Sequence, residues 1–144
     1  MTTDAAGYSM RVELRGAFFN DPLRRKVIDD AIKSSVHEAA LVGEALWKKN
    51  LFKPPDFPIS RHGKDTGHLQ RSIVGEVITN SRAEVTDSGV VYGPWIEGES
   101  SRNQTSRFKG YHSARKATTE VRKRAPRILN KHVRKGVARL NRGV

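Results

Sequence analysis

Cysteine is absent from the 144 residues, which excludes disulfides and thiolate metal sites. Aromatic residues supply 7% and all hydrophobic residues 36%. That suits a thin two-layer domain, or a subunit that hides further surface against neighbours. Long apolar runs are missing too. The longest, "AALVGEALW", is interrupted by Glu44 and falls far short of the ~20 residues that span a bilayer, so no membrane partner is expected. The opening "MTTDAAGYSM" has neither a basic start nor an apolar run, and the expectation is synthesis in a cytoplasm without a signal peptide.

Acid is scarce in one region only. Residues 1–106 balance, with 14 basic and 14 acidic side chains, whereas residues 107–144 hold 13 Lys/Arg against a single acid, Glu120. The whole net charge of +12 therefore sits in the last 38 residues. Such asymmetry points to an acidic partner: nucleic acid, an acidic protein surface or, third because the apolar stripe of the last helix is rich in alanine and valine rather than bulky side chains, a membrane face.

Signatures of catalysis are also lacking. His62 and His68 are near neighbours, with Asp65 as a local third ligand, but this spacing fits no established metal pattern and reads as loop polarity. The stretch "HGKDT" lacks the first glycine of a phosphate loop and follows no buried strand. No serine lies in a G-x-S-x-G turn. No catalytic residue, metal or cofactor is expected, and the chain is not read as an enzyme. His132 falls on the apolar face of the last helix and is expected to be a satisfied core or interface residue.

The patterning gives a single α+β domain over 1–144: a long N-terminal helix and a C-terminal helix packed on a small antiparallel sheet. Alternation of Met10, Val12 and Leu14 with Arg11, Glu13 and Arg15 predicts an edge strand over 8–15. Asp21 as N-cap and Pro22 in the first turn open a helix over 21–50, whose apolar residues recur at three-four spacing from Leu23 to Trp47 and where Gly43 allows close packing. Pro54, Pro55 and Pro58 make 51–66 a surface loop. Three short strands are expected within 73–92, with Ile73, Val77, Val85 and Val90 as core candidates. The polar stretch 98–110 reads as a mobile loop. A basic helix follows over 111–141, with a kink or break expected near Arg124–Ala125 because Pro126 removes a backbone bond and crowds the preceding turn.

Two short motifs remain. "DTGHLQRSI" places Thr66, Gly67, Leu69, Ser72 and Ile73 before the strands, and "VVYGPWIEGE" places Tyr92, Trp95, Ile96 and Glu97 after them. Together with the long first helix, the polar loop and the closing helix, this order resembles the tail-completion or neck family of long-tailed bacteriophages, over roughly residues 20–140. Gly93-Pro94 departs from the small residue usual in that pattern, and the serine-rich loop and high charge are also unusual for it.

The resemblance implies a structural virion protein at the head–tail junction of a siphophage, made in the host cytoplasm. It implies a homo-oligomeric ring, hexameric or dodecameric, that meets adaptor, stopper, tail-terminator or tail-tube proteins, with DNA in the channel lumen as a further partner. Thr66 would cap the "HLQRS" turn, Tyr92 and Trp95 would pack on the first helix, and Glu97 would sit at the sheet end near the loop. The expected subunit contacts are Trp95, Glu97, Ser100, Arg102, Asn103 and Arg107. The expected face toward an acidic partner or DNA is Arg122, Lys123, Arg124, Arg127, Lys131 and Arg134, with the choice between protein and DNA open. The competing reading is a basic nucleic-acid-binding protein that works free in the cytoplasm.

Overall fold

A computed structural model describes residues 9–13, 22–51 and 67–141. The order is β1 (Ser9–Glu13), α1 (Pro22–Leu51), α2 (His68–Ser72), β2 (Val74–Thr79), β3 (Arg82–Thr86), α3 (Gly93–Glu97), α4 (Ser101–Thr105) and α5 (Ser113–Asn141). The fold is α+β, as the periodicities require. Asp21, the remainder of the 8–15 strand and residues 52–66, including Thr66, lie outside the described residues.

The three strands are antiparallel in the order β1-β3-β2. Met10 pairs with Val85 and Val12 with Ala83, while Gly75 and Val77 take the same two partners from the other side. This register puts Met10, Ala83 and Val85 on one buried face. α1 packs on that face through the small residues Ala39, Ala40 and Gly43, together with Val36 and Trp47. Small side chains let the helix sit close: a Cβ on Gly75 would lie 2.9 Å from the Ala40 carbonyl oxygen, and the Gly75 N–H donates to Glu44 Oε2 at 2.9 Å. α5 runs antiparallel along another flank of α1, with Glu38 meeting Lys131 and Asn50 meeting Ser113. It contributes Ala114, Ala117, Val121 and Ile128 to the shared core.

Three local expectations are corrected. The "GVVYG" segment is not a strand. Ser88 and Gly89 adopt positive φ (58° and 76°), reversing the chain after β3, so that Val90 is buried and Val91 is fully outside. The third strand is β1. Val77 is exposed rather than core, because β2 meets α1 at Gly75, and Val77 and the bulged Ile78 lie beyond that contact. α5 continues through Pro126 without a break. The ring costs one backbone bond on the exposed side of a helix that packing on α1 holds in place.

Candidate interaction surfaces

The "WIEGE" motif builds an internal node. Glu97 is 2% exposed. Its Oε1 accepts from Trp47 Nε1 at 2.8 Å and from the Ser113 hydroxyl, and its Oε2 accepts from the Ala114 backbone N–H at 2.9 Å. The first turn of a helix leaves N–H groups without intrahelical partners, and Glu97 satisfies one of them for α5. One side chain thus joins α1, α3 and α5. The approach is set by Gly98 and Gly110, whose φ values are +88° and +93°. Their backbones cross so closely that a Cβ on Gly110 would lie 2.3 Å from Gly98 Cα. The Tyr111 N–H then donates to the Ile96 carbonyl at 2.7 Å. Glu97 is therefore not a subunit contact: both of its oxygens are occupied inside the fold.

The serine-rich stretch is folded as well. Ser100 caps α4, its hydroxyl accepting from the Arg102 N–H at 3.3 Å, while Asn103 Oδ1 accepts from the Ser100 N–H at 3.0 Å. Asn103 Nδ2 donates to the carbonyls of Trp95 and Phe108, and Lys109 Nζ donates to the Asn103 and Gln104 carbonyls. Phe108 packs between Trp95 (centroids 4.9 Å apart, tilted) and Tyr111 (5.3 Å, edge-to-face). Asn103 is buried and is likewise removed from the expected subunit contacts, because its side chain ties the segment to α3. Arg102 and Arg107 remain exposed.

The "DTGHLQRSI" motif forms a tight corner from Gly67 onward. Gly67, at φ +65°, occupies the position before α2, where it has no side chain to cap the helix. Leu69 and Ile73 point into the core, and the Ser72 hydroxyl donates to the His68 carbonyl at 2.9 Å. Tyr92 stands at the surface. It is 42% exposed and lies beside His68, ring centroids 6.4 Å apart. Trp95, 38% exposed, joins Phe108. With Val91 at 95% exposure, these side chains form an apolar stretch on the outside of the α3 turn. A separate apolar pair, Val77 and Ile78, is exposed on β2 at the edge of the sheet.

Arg122, Lys123, Arg124, Arg127, Lys131 and Arg134 are all exposed on α5. Two are paired: Lys123 with Glu120 at 3.2 Å and Lys131 with Glu38 at 2.8 Å. Glu38 also lies 2.7 Å from His132 Nε2, so His132 is satisfied at the α1–α5 seam. Hydrogen bonds from Lys131 and His132 hold the Glu38 carboxyl below its ordinary value of 4.5, against the opposing effect of burial. Because the folded value is the lower one, the contribution is complete above 4.5 and is lost as pH falls through the folded value. Glu38→Gln is expected to lower stability at neutral pH by ~0.5–1 kcal/mol. The difference from the parent should shrink toward pH 3 in urea titrations, and a difference independent of pH would contradict the assignment.

Sequence reasoning identified the stripe that contains Trp47 but not its hydrogen bond to Glu97. The available signal was a Glu held among Trp, Ile and Gly, a composition more typical of an interior than of a rim. His68 turns toward Tyr92, while His62 and Asp65 lie outside the described residues. Among the described residues no three His, Asp or Glu side chains converge on a metal-sized space. Compared with known proteins, the chain matches no family model, no curated protein and no solved structure.

Proposed function

We propose that this chain is a structural subunit of the head–tail junction of a long-tailed phage, acting by ring assembly and by docking to neighbouring rings, without catalysing a reaction. The observation that carries the reading is the outward apolar stretch Val91, Tyr92 and Trp95, held on a rigid turn by the Glu97 node. A rigid, partly aromatic patch surrounded by polar residues is the usual makeup of a protein contact. The pair Val77 and Ile78 on the β2 edge gives a second, different patch, and a heterologous ring needs two unlike patches on each subunit. The order of the long first helix, small sheet and closing helix and the two motifs resemble the neck family, with the departure at Gly93-Pro94. The rival reading, a free nucleic-acid-binding protein, accounts for the charge on α5 but leaves both apolar patches without a role.

Val91→Asp separates assembly from folding. Val91 is almost fully solvated, so the substitution is expected to change unfolding free energy by less than ~0.5 kcal/mol. It should weaken self-association by at least about tenfold, as a charge placed in an apolar contact does. Sedimentation velocity over a concentration series checks this. Unchanged association in the variant would remove the α3 turn from the interface.

A further inference from the structure

We infer that the outer face of α5 is a sequence-independent track for the phosphate backbone of duplex nucleic acid, used by each copy of the chain whether or not it is assembled. Lys116, Lys123, Arg127 and Arg134 are spaced by seven, four and seven residues and are all exposed. At 100° per residue they fall on one line along the side of the helix away from α1, about 27 Å long at 1.5 Å per residue. Arg122 flanks the line on one side, and Arg124 and Lys135 on the other.

The charge is largely uncompensated. Among the described residues, Lys116, Arg122, Arg124, Arg127, Arg134 and Lys135 have no carboxylate within ion-pair distance. Lys123 and Lys131 are paired with exposed or half-exposed acids, pairs weak enough to be exchanged for a stronger anion.

Charge complementarity selects a polyanion, and the apolar content of the face selects which one. A protein interface is anchored by buried aromatic or large apolar side chains. The one exposed large apolar side chain on α5 among the described residues is Val137. A phosphate backbone needs no such anchor. Single strands are recognised by stacking on open rings, but the nearest rings, Phe108 and Tyr111, pack edge-to-face against each other, and Tyr111 is buried. A straight row of cations on a rigid helix fits the regular phosphates of a duplex.

The test is fluorescence anisotropy with two 30-bp duplexes of unrelated sequence, measured across salt concentration on the full chain. Both duplexes are expected to bind alike at low salt, with log K against log salt falling with a slope of roughly −4. Replacing Lys116, Lys123, Arg127 and Arg134 by Gln is expected to weaken binding at least about tenfold and to flatten the slope by roughly one for each cation removed. Circular dichroism of this variant should be unchanged, since all four side chains are exposed. Val91→Asp is expected to bind DNA as the parent does, which keeps failure of the track distinct from failure of ring assembly. Absent binding at ~50 mM salt would overturn the inference, as would undiminished binding by the fourfold variant or loss of binding in Val91→Asp. Polyglutamate bound as tightly as DNA at equal salt would overturn it in favour of an acidic protein.

Discussion

Glu97→Ala is expected to cost at least ~3 kcal/mol of unfolding free energy, the largest loss from any single side chain in the motif region. The substitution removes the carboxylate that accepts from three donors: the Trp47 indole N–H, the Ser113 hydroxyl and the Ala114 N–H. All three lie in the interior, where an unsatisfied polar group costs its full desolvation. Glu97→Gln keeps an acceptor oxygen but turns an NH2 group toward a donor, so its loss should be smaller than that of alanine. Trp47→Phe removes one donor and leaves the carboxyl bonded to Ser113 and Ala114. Its cost should be smaller still, ~1–2 kcal/mol. Urea denaturation of the three variants tests the order. An alanine variant within ~1 kcal/mol of the parent would mean that Glu97 does not join the helices.

Gly98→Ala is the second large effect. A left-handed backbone costs an L-residue ~1–2 kcal/mol, and here there is no room to accept it. A Cβ would lie 2.3 Å from the Lys109 carbonyl oxygen and 2.6 Å from His112 Cε1. Relief would require 109–112 to withdraw, which pulls Ser113 and Ala114 away from Glu97. The expected loss is ~3 kcal/mol or more, or a fall in Tm of roughly 10 °C for a domain of this size. Gly110→Ala should behave alike, because it meets the same crossing from the other side. Gly89→Ala is the contrasting case. Its φ is also positive, +76°, but nothing lies within 4 Å of the added methyl, so only the backbone cost of ~1–2 kcal/mol applies. Equal losses at positions 89 and 98 in thermal melts would show that steric crowding at the crossing plays no part.

Both predictions concern residues whose importance the sequence half disclosed. Periodicity and capping located α1 and α5 nearly to the residue, because long helices are written repeatedly: Pro22 at the start, and a three-four apolar stripe that no strand would produce. β1 was legible from the alternation of Met10, Arg11 and Val12. The segment after β3 was not. "GVVYG" has β-branched and aromatic composition, yet Ser88 and Gly89 turn the chain out of the sheet. A composition rule cannot register a conformation set by two backbone angles. The polar run 98–110 misled for a related reason. Its Ser, Asn and Lys side chains bond to neighbouring backbone groups rather than to water, so polarity there encodes a folded connection. Glu97 and Asn103 looked like surface residues by type and are interior by partner. The basic face of α5 was the feature most directly readable, since charge on an exposed helix needs no knowledge of tertiary contacts.

The structural account rests on the Glu97 node holding the α3 turn still, and the functional account on that turn being covered by another copy. Electron microscopy of the purified full-length chain over increasing concentration addresses the second point directly. The account predicts closed rings of one symmetry, with the turn bearing Val91, Tyr92 and Trp95 buried between neighbouring subunits. Single copies at every concentration, or rings whose subunit boundary leaves this turn in solvent, would contradict it.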